Sequence, residues 1–420
     1  MLEDLERTQW LTRDEHVECQ ERRLRNLIEH AWRTSPFYRR LFRREGILPD
    51  EIQTIQDLPR VPFLTKSLIN ANLADLVSRG FPKRSMVLHH TSGTAGTQMR
   101  GFYLPKRLLW RVNAATLYRF YRWAGVNPRM RRATIAGRHF TDRPPYIVRN
   151  RAGNQLLLSA HHLSRATIDS YLSAIEKFRP QAIQGHPTAI STLARRLQEV
   201  DNCIQVGAVL TTGEQLFSDQ RDAIEERFQC RVFDAWGHGE SAGMAAECEY
   251  HNGYHIAMEY GIIEVIKDRA QDEWGEIVVT SLHNYAMPFI RYRTGDLAVI
   301  EDAACACGRD LPRLKRILGR IDDVLCLPNG TRILPVTIRT LLRGIGFTSE
   351  YQLRQTDRDR ICFYIREGER TARKSRNALH VLSRVLTGMK VDLVYTDEIT
   401  VSGAKQRLVV GWRGPSRGGS

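Results

Sequence analysis

Val206-Gly207-Ala208-Val209-Leu210-Thr211-Thr212-Gly213 and, further on, Val232-Phe233-Asp234-Ala235-Trp236-Gly237 decide the fold class. Each is a short apolar run that breaks at a glycine, which reads as a buried strand entering a turn. Strands of this kind, separated by helices, make an α/β architecture. Its ligand sites are expected at the carboxyl ends of the strands.

The pattern extends in both directions. Toward the N-terminus, Glu21 to Trp32 puts Leu24, Leu27, Ile28 and Ala31 at helical spacing, and Ser35-Pro36 stops the run. Between about Arg100 and Val200, helical segments alternate with short apolar runs such as Tyr146-Ile147-Val148 and Gln155 to Leu158. From Ile262 to Ile300 the texture turns β-rich: Ile262 to Ile266, Glu276 to Thr280 and Leu297 to Ile300, with turn signals at Trp274-Gly275 and Thr294-Gly295-Asp296. After Gly319-Arg320-Ile321-Asp322-Asp323 a small α+β tail is expected. It has helices near Pro335 to Arg343 and Ser375 to Leu386, and strands near Tyr351 to Leu353 and Ile361 to Ile365. The stretch 413–420 reads as disordered.

Length and composition bound the function. At 420 residues the chain calls for two or three domains. With 42% hydrophobic and 26% charged residues it has the balance of a globular protein. No run of eighteen apolar residues occurs, which excludes a spanning helix, and the acidic, amphipathic start (Met1 to Glu6) does not read as a secretory signal. The expected location is the cytoplasm, with no membrane partner. Lys and Arg number 62 against 47 Asp and Glu, giving +15. The basic residues are spread (Arg22-Arg23, Arg39-Arg40, Arg131-Arg132, Arg313 to Arg316) and form no tract, so no nucleic-acid partner is expected. Eight cysteines are too sparse for a disulfide scaffold, and only Cys305 and Cys307 stand close, as C-x-C-G.

Four segments could carry chemistry. In Thr91-Ser92-Gly93-Thr94-Ala95-Gly96-Thr97, glycines and hydroxyls could wrap phosphate oxygens, although no Gly-Lys-Ser/Thr follows as in a Walker loop. In Tyr292-Arg293-Thr294-Gly295-Asp296-Leu297, the Asp could accept hydrogen bonds from a ribose diol and the Arg could reach a phosphate. Gly319 to Asp323 is a linker or a hinge. Ser402 to Arg407 holds Lys405, which could bring a point charge to a developing anion. Taken singly, each also reads as an ordinary turn, cap, linker or solvated lysine.

Their order resembles the adenylate-forming superfamily of acyl- and aryl-CoA ligases: the Ser/Thr/Gly loop, Trp236-Gly237-His238-Gly239-Glu240, Tyr292 to Leu297, Gly319 to Asp323, then a terminal Gly-x-Lys. Within it the chain is most similar to the phenylacetate–CoA ligase branch, which includes proteins of capsule and coenzyme F390 pathways. The branch resemblance runs through His30-Ala31-Trp32 to Ser35-Pro36-Phe37-Tyr38, Asp57-Leu58-Pro59 to Thr65-Lys66, and Glu240 to Glu249. It is densest at Met287 to Asp296.

The resemblance implies a large adenylate-forming body over residues 1–321 and a small mobile α+β domain over 322–412. It implies ATP-dependent conversion of a carboxylic acid to an acyl-adenylate, with release of pyrophosphate and transfer to an acceptor. On the family pattern, Ser92, Gly93, Thr94, Gly96 and Thr97 would clasp phosphates, and Glu240 would help hold Mg²⁺. Asp296 would bind the ribose with Arg320 close by, Asp322 would be the hinge, and Lys405 would reach the carboxylate and α-phosphate. Gly213 and Glu214, with Trp236 and Gly237, would line the adenine and acyl pockets. Two departures stand out. Gly96 is followed by Thr97-Gln98 where a Lys is usual, leaving Arg100 or the backbone alone to meet the phosphates, and Gly239 leaves no hydroxyl before Glu240. With Glu240, Asp296 and Lys405 kept, an active enzyme is expected.

The same resemblance suggests a structural Zn²⁺ on Cys248, His255, Cys305 and Cys307, stapling a β-rich subdomain over about 245–318; His251 is the competing ligand. Three thiolates and one imidazole form a closed tetrahedral set. The acid is expected to be aryl or arylacetic, with Trp236, His238, His139 and Phe140 as candidate pocket residues. The acceptor, supplied in trans, is CoA by default, with a carrier-protein thiol, an amine or a hydroxyl as alternatives. An adenylyltransferase, an inactive ligand-binding relative and a homodimer also remain open.

Overall fold

The structure, a computed structural model, describes residues 1–90, 99–137, 140–141, 143–347, 350–366, 371–396, 399, 401–402, 405–406 and 408–412. Its contacts divide the chain into two units, the second built on Gly295–Ala298 and the chain from Ile317 onward.

The first unit begins with helices α1 (Leu2–Thr8), α2 (Arg13–Thr34) and α3 (Pro36–Glu45). A capping box starts α2: Thr12 accepts from the Glu15 amide, and the Glu15 carboxylate accepts from the Thr12 amide at 2.8 Å. The expected stop at Ser35-Pro36 is a corner. Ser35 caps α3, and Pro36 occupies its first turn, where a missing N–H costs nothing. Short helices α4 (Lys66–Ala71) and α5 (Leu73–Leu76) follow. Strands β1 (Met86–His89) and β2 (Phe102–Pro105) then pair antiparallel, and a π-helical turn, Leu108–Asn113, runs into α6 (Ala114–Trp123).

Next come β3 (Arg132–Ala136), β4 (Ile147–Asn150), β5 (Gln155–Ser159), α7 (Ile168–Phe178), β6 (Ala182–Gly185) and α8 (Pro187–Glu199). They are followed by β7 (Ala208–Thr212), α9 (Ser218–Phe228) and β8 (Arg231–Gly237). The β-rich stretch supplies β9 (Met244–Glu247), β10 (Tyr254–Ile256), β11 (Gly261–Ile266), β12 (Gly275–Ser281), β13 (Tyr292–Glu301) and β14 (Arg313–Arg320). All twelve strands from β3 on join one sheet in the order β11-β12-β13-β14-β10-β9-β8-β7-β6-β3-β5-β4.

Strands β5, β3, β6, β7 and β8 pair parallel, whereas β8–β9, β9–β10, β10–β14 and β11–β12 pair antiparallel. The change of texture in the sequence is therefore a change of pairing within one sheet. Parallel neighbours need long crossovers, and α8 and α9 supply those from β6 to β7 and from β7 to β8.

Both faces of the parallel strands are covered. Val209 packs with Ile183, Val232, Leu193, Ile224 and Phe228 beneath α8 and α9. Ala208 and Leu210 pack with Tyr121 and Val126 on the α6 side. Burial on two faces is why these strands read as continuous apolar runs. Each such side chain removed from water contributes about 1.5–3 kcal/mol.

The second unit has a four-stranded sheet in the order Lys390–Thr396, Arg360–Arg366, Tyr351–Asp357, Val409–Val410. Helices α10 (Pro335–Gly344) and α11 (Thr371–Val385) supply Ile338, Leu342, Ala378 and Leu382 to its core, against Leu353, Ile361, Phe363 and Ile365. This is the α+β tail expected from the sequence. The stretch 413–420 lies outside the described residues. Among the described residues no helix is long and apolar enough to cross a membrane.

Candidate active site

The carboxyl ends of β7 and β8 lie side by side, with Thr212 opposite Ala235. Beyond Thr212 the chain turns through Gly213, whose φ of +84° favours glycine and whose added Cβ would lie 2.9 Å from His186 Cε1. Any larger residue would strain the backbone and push into the imidazole. His186 Nδ1 lies 3.0 Å from the Thr212 carbonyl and donates to it. The Glu214 carboxylate accepts from the Thr188 amide at 3.2 Å, at the start of α8. On the neighbouring strand Trp236 is buried and Gly237 closes β8. His238 and Gly239 then lead to Glu240.

Glu240 is the most constrained polar group of this edge. Its side chain is 6% exposed. Tyr292 OH donates to Oε1 at 2.6 Å, and His238 Nδ1 lies 3.0 Å from Oε2. Burial alone would raise its pKa, but the contacts with His238 and Tyr292 outweigh that and hold it down to about 2. The result is a desolvated carboxylate that stays charged, which is what a cation or a polyphosphate–metal complex requires of a protein oxygen.

Elsewhere in this unit a small recess, with room for about 10 Å³, lies between α6 and the sheet, and Glu240 is not among the residues that line it. Leu117, Phe120, Tyr121, Leu210 and Phe233 line it together with the acids Asp234 and Glu247. Phe140 is half-buried and does not line it; His139 falls outside the described residues.

In the second unit Arg320, at the end of β14, pairs with Asp296 of β13 at 3.2 Å. Asp322 lies in a single 3₁₀ turn, Ile321–Asp323, and its carbonyl accepts from the Gly411 amide at 3.0 Å. Lys405 lies on a two-residue strand that pairs with Val401–Ser402. The candidate phosphate loop, Ser92, Gly93, Thr94, Gly96 and Thr97, lies outside the described residues. Gly213, Glu214, Trp236, Gly237 and Glu240 thus share one edge of the first unit, and Asp296 and Arg320 share one ion pair in the second.

Comparison with known proteins is consistent with this arrangement. No family model matches the chain. Over 351 residues it is 28% identical to a phenylacetate-coenzyme A ligase of Thermus thermophilus, covering 80% of this chain and 77% of that protein. It is 26% identical to Protein CapK of Staphylococcus aureus, covering 83% and 78%. Its fold superposes on 2-hydroxyisobutyryl-CoA ligase in the postadenylation state with a TM-score of 0.75 at 22% identity, covering 96% of this chain and 91% of that one. The chain is similar in sequence to phenylacetate-coenzyme A ligases and CapK, and shares its fold with an acyl-CoA ligase.

The first unit also brings Cys248, His255, Cys305 and Cys307 together, with ligand atoms all within 4.8 Å of one another. The Cys248 and Cys305 sulfurs are 3.8 Å apart, and Cys307 Sγ lies 3.4 Å from His255 Nε2. A tetrahedral zinc with Zn–S of about 2.3 Å separates its sulfurs by about 3.8 Å. The donor set and its spacing therefore fit that ion. Burial pushes the Cys248 thiol up to about 12 and lowers His255 to about 4, so the imidazole is neutral, as a ligand must be. His251, the competing residue, lies 3.4 Å from Glu247 and is outside this cluster.

A second buried polar network was missed in the sequence. Asp234, in the middle of β8, accepts from Thr211 Oγ1 at 2.6 Å and from Tyr254 OH at 2.9 Å. Its amide donates to Glu247, which Arg221 holds with two bonds at 2.6 and 2.8 Å. Burial, reinforced by the Glu247 charge, pushes Asp234 up to about 7. The available signal was a single acid inside an otherwise apolar strand. Tyr292 was quoted in its motif, but nothing in the sequence pointed its hydroxyl at Glu240.

Proposed function

We propose that this chain activates a carboxylic acid with ATP and passes the acyl group to CoA. The observation that carries the reading is Glu240: a buried carboxylate, kept ionised just beyond the carboxyl end of β8. In the first step an oxygen of the acid attacks the α-phosphorus. The bond to the β-phosphate bridging oxygen breaks, and pyrophosphate leaves with that electron pair. In the second step a thiolate attacks the acyl carbon and AMP departs. Chemistry of this kind needs positioning and charge stabilisation above all.

The residues take roles accordingly. Gly213 and Glu214, with Trp236 and Gly237, frame the nucleotide. Asp296, oriented by Arg320, accepts from the ribose hydroxyls. Ser92, Gly93, Thr94, Gly96 and Thr97 clasp the outer phosphates, and Lys405 neutralises charge at the carboxylate and α-phosphate. Asp322 is the hinge between residues 1–321 and the small domain. Mg²⁺, when bound, offsets the phosphate charge, and Glu240 is the residue that would hold it. Zn²⁺ would be held by Cys248, His255, Cys305 and Cys307 in a closed site that supports the loops around β10 and leaves the reaction untouched. The likeness to phenylacetate-coenzyme A ligases supports an aryl or arylacetic acid as the substrate.

Incubating the protein with ATP, Mg²⁺, CoA and a panel of aryl acids tests this. Acid-dependent release of AMP and pyrophosphate, with a CoA thioester as product, is expected. AMP and pyrophosphate without thioester would move the acceptor to a carrier-protein thiol or an amine. Zinc is tested by elemental analysis of the purified protein; its absence would remove that assignment.

A further inference from the structure

Gln9 follows α1 directly, and its buried side chain meets two donors at once. Its Oε1 accepts from Trp123 Nε1 at 2.7 Å and from Arg309 Nε at 3.0 Å. Indole and guanidinium nitrogens can only donate, so the amide oxygen is the atom that faces both. Gln9 Nε2 in turn donates to the Glu6 carbonyl at 2.8 Å, which fixes the amide against α1.

Both donors border the cysteine–histidine cluster. Arg309 stands two residues after Cys307, and its Nη1 meets both oxygens of Glu249, the neighbour of Cys248, at 3.1 and 3.0 Å. It therefore ties together the segments that carry Cys248 and Cys307. The Trp123 ring lies edge-on to the His255 imidazole, with centroids 5.8 Å apart. The Arg309 guanidinium also stands over the indole rings of Trp10, at 4.9 Å, and Trp123, at 4.6 Å. One residue further along, Asp310 accepts from the Arg13 amide at 2.7 Å, at the start of α2. Residues 9–13 thus hold the segment after Cys307 at two adjacent points. A divalent cation on three thiolates and one imidazole carries one net negative charge, and Arg309 sets a permanent positive charge beside it.

We propose that Gln9 is a positioning residue for the metal cluster: through Arg309 and Trp123, the segment after α1 keeps the Cys305–Cys307 loop in ligating geometry and slows release of the bound ion. This rests on the zinc assignment above. Partners just outside the ligands orient them and set how tightly the ion is held. The coupling is reciprocal, so the ion also holds α1 in place.

The test follows transfer of zinc from the full chain to a chromogenic chelator, in wild type, Gln9→Met and Gln9→Glu, each first assayed for zinc by elemental analysis. Met keeps the length of the side chain and has no oxygen; Glu keeps an oxygen acceptor. Release from Gln9→Met is expected to be about tenfold faster than from wild type, with Gln9→Glu within about twofold of wild type. A second measurement needs no variant. Hydrogen exchange of the α1 amides in wild type is expected to quicken about tenfold when the metal is stripped, while that of α7 is unchanged. A folded Gln9→Met that releases zinc at the wild-type rate overturns the proposal, as does Gln9→Glu releasing it as fast as Gln9→Met. So does α1 exchange that metal removal leaves unaltered, whether or not the variants fold. Wild type purified without zinc overturns the zinc assignment instead, and this inference with it.

Discussion

Asp234 and Glu240 are two buried carboxyls at neighbouring points of one strand and its turn, and they behave in opposite ways. Burial penalises both. At Glu240 it is outweighed by Tyr292 and His238, so the group stays ionised with a pKa near 2. At Asp234 the donors Thr211 and Tyr254 are set against the charge of Glu247, and the group holds its proton up to about pH 7. The difference shows that the partners a buried acid meets decide its state. The acid beyond the end of the strand is held charged, and the acid inside the strand is held protonated up to about pH 7.

The largest break in this comparison is Glu240→Gln. It keeps the shape and removes the charge, and adenylation is expected to fall by about 10²–10³-fold, as for loss of one preorganised electrostatic group. Steady-state pyrophosphate release measures it. A Glu240→Gln enzyme of normal rate would strip Glu240 of its role.

A second test reaches the Asp234 side. Glu247, which receives the Asp234 amide, adjoins Cys248 of the cysteine–histidine cluster. If that cluster holds zinc, Cys305→Ser or exhaustive chelation lowers the melting temperature and raises protease cleavage around residues 248–308, because a structural metal contributes folding energy directly. Unchanged melting with no metal released would contradict it.

Much of this was legible in the sequence and some was not. The apolar runs at Val206 to Thr212 and Val232 to Trp236 announce buried strands because both of their faces are covered. The Cys and His of the cluster are read from residue type and family resemblance together. The joining of the β-rich stretch to the same sheet was hidden, since strand patterning says which segments are β and nothing about which neighbour each one finds. The grip of Tyr292 on Glu240 spans fifty-two residues of chain, and contacts made by folding across such distances leave no local signature.

Smaller effects refine the two acids. Tyr292→Phe removes a hydrogen bond to a charged group and should cost about 1.5–3 kcal/mol of stability at neutral pH. Glu240 has its folded pKa depressed from 4.5 to about 2, so its contribution is present above about pH 4.5 and is lost as pH falls toward 2. Urea midpoints at pH 7 and pH 3 should therefore separate wild type from Tyr292→Phe more at the higher pH. Asp234 carries the reverse sign. Its folded pKa is raised from 3.8 to about 7, so its contribution is full below about pH 4 and lost as pH rises through 7. Between pH 5 and pH 8 the wild type should lose stability relative to Asp234→Asn. Parallel profiles would contradict the protonated Asp234.

The most direct measurement of the central claim is exchange of labelled pyrophosphate into ATP across a panel of aryl acids, with Lys405→Ala alongside. The account predicts exchange that depends on the acid and on Mg²⁺, and that is lost in Lys405→Ala while binding of the fold's other ligands persists. Exchange indifferent to acid, or none with any acid tried, would contradict acid activation by this chain.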